Sequence, residues 1–198
     1  MTGVQTCALP ICLWDITDPA HPHQLGSGLV GHEHDVWTAA LSPAGDLLAT
    51  GDGEGAVILW DVEDPEHARR LGDPLHPHGS TSSVSVAFAP TTDLMVTGGI
   101  DQNAYLWDLG SRILPRKFGT SLADNLDDIS HLVFSANGEL LATAGSQGDV
   151  VLWDMRPTYD LRGHLDETAC EVTDGGLDRD QWTRYLPDLE YRDTCAGR

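Results

Sequence analysis

The chain is 198 residues long, room for about one domain, with 40% hydrophobic residues and no apolar run near the roughly 20 residues that would span a bilayer. Its formal net charge is −20, from 31 acidic against 11 basic residues, which repels phosphate backbones and argues against a nucleic-acid partner. A charge of this size also serves solubility alone, and the single lysine, Lys117, beside ten arginines is a bias expected of a GC-rich genome.

The first stretch, Met1 to Ile11, reads MTGVQTCALPI. It resembles the in-frame translation of a common short-read sequencing adapter with GTG read as the start, and Cys12 falls at the junction. A signal peptide is the alternative, but the stretch has neither a basic n-region nor an adequate apolar segment. Residues 1–12 are therefore expected to be foreign to the fold, with the native N-terminus lost upstream. Cys170 and Cys195 then stand far from Cys12, which is no disulfide framework. The absence of an N-x-S/T sequon agrees with a cytoplasmic chain.

From Leu13 onward the sequence repeats. Trp-Asp pairs stand at Trp14-Asp15, Trp60-Asp61, Trp107-Asp108 and Trp153-Asp154, with tryptophan spacings of 46, 47 and 46. Three units align on them: Asp35 to Asp61, Ser82 to Asp108 and Asp128 to Asp154. Each has a β-rich run, a turn, a second run, a Gly-rich turn and a third run ending in Trp-Asp. Leu41-Ser42-Pro43, Phe88-Ala89-Pro90 and Phe134-Ser135-Ala136 take one phase; Leu48-Ala49-Thr50, Met95-Val96-Thr97 and Leu141-Ala142-Thr143 take another. Ala44-Gly45 and Asn137-Gly138 supply the tight turns between first and second runs. The continuous apolar runs Ala104 to Trp107 and Val150 to Trp153 predict strands covered on both faces. The extra length of each repeat falls in stretches such as DPAHPHQLGSG and DPLHPHGSTSS, where loops absorb residues cheaply.

On these four in-phase pairs the chain from Leu13 to about Met155 resembles the WD-repeat β-propeller family. The resemblance implies an all-β fold. It predicts a partial propeller of three full four-stranded blades plus part of another, with residues 13–30 ending a truncated blade and 31–155 forming the blades. Propellers of this type have about seven blades, so the expected object is an open arc whose exposed sheet faces self-associate, its missing N-terminal blades belonging to the same original chain. The implied function is a non-catalytic surface for a protein partner, with no cofactor.

In that family a polar chain of histidine, serine or threonine, aspartate and tryptophan ties each blade. Carried over by position, the first unit supplies His32, Thr50, Glu54 and Trp60, with Glu in place of Asp. The second supplies Thr97, Asp101 and Trp107, with Gly79 where the histidine belongs. The third supplies Asn125, Thr143, Gln147 and Trp153, without an acid. These residues read as structural, because buried polar groups must find partners and a linked network stiffens a blade.

The main alternative is a metal-binding or enzymatic propeller. His21, His23, His32 and His34 crowd one stretch, His76 and His78 another, and HxH spacing can place two imidazoles on a metal. The two His-Pro-His runs lie at different phases of the repeat, however, and read as loop decoration; no metal ligand is assigned. No CxxC, HExxH, phosphate-cradling loop or G-x-S-x-G elbow is present. Asp127-Asp128 reads as two solvated loop carboxylates, and Asp35 and Asp128 as loop and cap residues ahead of a first strand.

Residues 156–198 predict a short helical tail. Leu165, Ala169 and Val172 fall at helical spacing, Gly175-Gly176 ends that helix, and Asp178 with Gln181 caps a second. Ala169-Cys170, Leu177, Trp182, Tyr185-Leu186-Pro187, Tyr191-Arg192 and Thr194-Cys195 resemble the closing tail of bacterial WD-repeat proteins of actinobacterial type. That resemblance implies a native C-terminus and an upstream signalling NTPase or kinase module, with the pairing of Cys170 and Cys195 left open.

Overall fold

The computed structural model describes residues 10–79, 84–123 and 127–163, with side chains up to residue 159. The chain divides into two compact units, Met1–Trp153 and Asp154–Arg198. In the second unit the described element is α1, Arg156–Gly163; the expected tail helices, Cys170 and Cys195 lie outside the described residues.

The first unit is built of antiparallel strands. β1 (Ile11–Asp15) pairs with β2 (His23–Leu29). β3 (Val36–Leu41), β4 (Leu47–Asp52), β5 (Val57–Asp61) and β6 (Arg69–Leu75) form a four-stranded meander. β7 (Val84–Phe88), β8 (Leu94–Gly99), β9 (Ala104–Asp108) and β10 (Arg116–Leu122) form the next. β11 (Ile129–Phe134), β12 (Leu140–Gly145) and β13 (Val150–Asp154) form a three-stranded sheet. The leading strands β3, β7 and β11 lie side by side. This is the all-β, open arc of propeller blades that the repeats imply.

Local chemistry accounts for the hairpins. At the first turn of the first and third blades the Gly45 and Gly138 amides return to the Ser42 and Ser135 carbonyls at 2.9 and 2.8 Å. Both glycines hold φ near +75°, where a side chain would be strained.

Two expectations change. The third blade has three strands among the described residues, not four. Arg69 and Arg116, which open the fourth strands, pair with Asp61 and Asp108; at the same distance beyond Asp154 the backbone is in α1, whose internal hydrogen bonds leave none for a ladder. At the other end β1 starts at Ile11, which pairs with Leu29, so the first blade fragment begins two residues before Leu13.

Burial follows from the two-faced sheets. Leu47, Ala49, Val57, Leu59, Val84, Val86, Met95 and Trp107 pack between the two four-stranded sheets. The alternate positions Leu48, Ile58 and Trp60 face the other way, joining Leu29 and Val62 with Ile11 and Leu13 against them. Each of the Val, Leu, Ile and Met side chains among them contributes roughly 1.5–3 kcal/mol on burial. Ala104 to Trp107 is covered largely as expected. Val150 and Leu152, which share a face of β13, are exposed instead, because no described sheet lies beyond that blade. No helix among the described residues is long and apolar enough to cross a membrane.

Candidate functional site

The first blade carries a complete polar chain. Trp60 Nε1 donates to Thr50 Oγ1 at 2.7 Å, His32 Nε2 lies 2.7 Å from the same oxygen, and His32 Nδ1 lies 2.9 Å from Asp52 Oδ2. The carboxylate only accepts, so Nδ1 carries the proton, Nε2 accepts from the threonine hydroxyl, and that oxygen accepts from the indole. The His32 and Asp52 side chains are only 3% and 2% exposed. Burial pushes the Asp52 pKa up, but the His32 hydrogen bond and the amides of Ala56 and Glu54 outweigh it and hold it below the ordinary value.

The acid here is Asp52 and not Glu54, which corrects the expectation. Glu54 is exposed and gives only its backbone N–H, to Asp52 Oδ1 at 3.1 Å. Asp52 is the last residue of β4, so it reaches His32 straight from the strand while its second oxygen caps the following turn through Glu54 and Ala56.

The second blade is complete as well. Its histidine is His78, where the repeat alignment points to Gly79. His78 Nδ1 lies 2.7 Å from Asp101 Oδ1 and Nε2 3.1 Å from Thr97 Oγ1, which accepts from Trp107 Nε1 at 3.0 Å. His78 is thus no loop decoration, although His76 beside it is exposed. Room for the ring comes from Gly99: a Cβ there would stand 2.6 Å from the His78 ring. With that space open, the acid comes from the turn beyond the strand, and Asp101 does what Asp52 does from a strand end. Burial lowers the His78 pKa, against the raising pull of Asp101, so the ring is neutral near pH 7. Lys117 sits 3.5 Å over the Tyr105 ring, and Tyr105 reaches Asp101 at 3.5 Å.

The third blade reverses the polarity. Trp153 Nε1 donates to Thr143 Oγ1 at 3.1 Å. The acid is Asp127, on the segment that carries the histidine in the other blades. It accepts from Gln147 N at 2.5 Å, Gln147 Nε2 at 3.1 Å, Ser146 Oγ at 3.1 Å and Asp128 N at 2.7 Å. Burial raises its pKa, but these donors prevail and lower it. Asp127 is therefore a buried network acid and not a solvated loop carboxylate. Asn125 lies outside the described residues. The Asp35 and Asp128 carbonyls accept from Gly53 N and Ser146 N at 3.1 and 3.0 Å, tying each leading strand to the hairpin behind it.

The repeat pattern thus brings together His32, Thr50 and Trp60, then Thr97, Asp101 and Trp107, then Thr143 with Trp153, and separately Gln147 with an acid it did not name. It misses Asp52, His78 and Asp127. The second His-Pro-His run held the signal for His78; nothing in the spacing marked the other two. Among the described residues the remaining histidines do not converge: His21 leans on Asp18 at 2.8 Å and His67 on Asp64 at 2.9 Å, all exposed. No group of three or more His, Cys, Asp or Glu side chains suited to a metal occurs among the described residues.

These polar chains tie the strands and hairpins of each blade together. Both ring nitrogens of His32 and of His78 are engaged within the blade. Comparison with known families matches the WD domain, G-beta repeat, at residues 23–61, 72–108 and 117–154. No curated protein matches the chain.

Proposed function

Since the chain belongs to the WD domain, G-beta repeat family, whose members generally mediate protein–protein interaction and are typically not enzymes, we propose that it is a non-catalytic scaffold that presents loops and blade faces to a protein partner. The observation that carries this reading is the closure of the polar chains. The histidines, acids and hydroxyls best suited to chemistry are spent on one another inside the blades, which leaves shape and surface charge as what the arc offers. We read the chain further as part of a larger cytoplasmic bacterial regulatory protein, with Met1 to Ile11 read as a translated adapter; the resemblance of the tail and of that segment supports this.

The test is capture of partners by the tagged chain, with crosslinking, from cells of its source. A reproducible protein partner is expected. Repeated failure to retain any protein would count against the scaffold, and zinc or nickel near one equivalent per chain in the purified protein would favour the metal reading.

A further inference from the structure

One surface feature is not used by the blade architecture. Trp37, on β3, is 70% exposed. It lies where the β3–β4 register slips between Val36 and Thr38, as the extra residue of a β-bulge, the device by which a strand re-aims a side chain. Its indole lies over Gly53, where a Cβ would come within 2.8 Å of Nε1. A large aromatic held in place yet left open to water does nothing for the core.

Trp37 lines a cavity of about 370 Å³ across the three leading strands, with Val84, Ile100, Asp128 and His131 among its walls, a size typical of ligand pockets, about 300–1,000 Å³. Asp128 spends its carbonyl on Ser146 N, and among the described residues no hydrogen bond holds its half-buried carboxylate. Among the described residues no lysine or arginine lines the cavity, and the whole chain carries −20.

We infer that this cavity receives a basic side chain, arginine or lysine, from a peptide segment of the protein partner, stacked on Trp37 and paired with Asp128. An indole face attracts a cation most strongly among the aromatics, a carboxylate supplies a charge-assisted hydrogen bond, and the anionic arc steers a basic segment toward it. The inference rests on the scaffold reading and names the chemistry of its partner.

The test is an NMR titration of the full 198-residue chain, with the Trp37 indole N–H resonance assigned by its loss in Trp37→Phe. The probes are N-acetyl-arginine N-methylamide and its uncharged citrulline analogue. A saturable shift of that resonance is expected with the arginine probe. It should be about tenfold weaker with citrulline and about tenfold weaker in Asp128→Asn. No saturable shift, equal binding of the two probes, or an unchanged affinity in a folded Asp128→Asn overturns the inference. If that variant fails to fold, the two probes on the unaltered chain decide. Partner capture that survives Asp128→Asn and Trp37→Phe removes this cavity and leaves the scaffold standing, whereas loss of all capture by the unaltered chain sinks the scaffold itself.

Discussion

Gln147 donates twice to the Asp127 carboxylate, from its backbone amide at 2.5 Å and its side-chain amide at 3.1 Å, across a separation of 20 residues. His32 and Asp52 are separated by the same 20 residues with acid and donor on opposite sides. The third blade has exchanged the two roles, and the tie between leading strand and hairpin survives because a hydrogen bond needs one donor and one acceptor, not a particular order.

Asp127→Ala is accordingly expected to lower the melting temperature of the chain by clearly more than Asp128→Ala, since it orphans the Gln147 and Ser146 donors. Equal effects in a thermal melt would remove Asp127 from the network.

His78→Ala leaves Thr97 and Asp101 without their imidazole and is expected to cost about 1–3 kcal/mol, against about 0.5 kcal/mol or less for the exposed His76→Ala. Denaturant unfolding decides between them. The pH dependence has a definite sign. Burial depresses the folded-state His78 pKa below 6.5, so between those two values the unfolded chain binds a proton that the folded chain does not. Stability therefore falls as pH drops through 6.5 and levels off at the folded pKa. His78→Ala should flatten this window, and an unflattened profile would contradict the burial.

Asp52→Ala is expected to destabilise by about 1–3 kcal/mol through the loss of the acceptor for His32, while Glu54→Gln should change stability by about 0.5 kcal/mol or less. Because the Asp52 pKa is lowered from 3.8, its contribution is present above that value and is lost as pH falls through the folded pKa. Acid unfolding of the two variants shows which carboxylate the blade uses.

Gly72 and Gly119 both hold positive φ in fourth strands, at +62° and +72°. A Cβ at Gly72 would collide with the Ile113 carbonyl of the next blade, whereas one at Gly119 meets nothing within 4 Å. Alanine at either position is expected to strain the backbone by about 1 kcal/mol or more, and Gly72→Ala should cost clearly more because backbone must move. Equal losses in denaturant unfolding would mean the blades do not rely on that approach.

Val133, Leu140, Val150 and Leu152 of the third blade are exposed at 44% or more, an apolar surface that favours association. The chain is expected to self-associate with rising concentration, and Val150→Lys with Leu152→Lys to reduce it. Sedimentation velocity checks this; a monodisperse monomer before substitution would sink it.

The Trp-Asp period, the alternation within each run and the glycines at the first turns were enough to determine strands, their order and the blade as a unit, because all of these arise between neighbours in sequence. Threonine was legible for the same reason: Thr50, Thr97 and Thr143 each precede their tryptophan partner by ten residues on adjacent strands, a spacing one hairpin sets. The choice of Asp52 over Glu54, of His78 over Gly79, and of Asp127 as the third acid belongs to the tertiary structure. Those bonds close between segments 18 to 23 residues apart, where the path of a loop, or the space beside one glycine, decides which side chain arrives. The covering of Val57 to Trp60 and the exposure of Val150 and Leu152 were settled in the same way, since equal apolar runs are buried or open according to whether another sheet lies beside them.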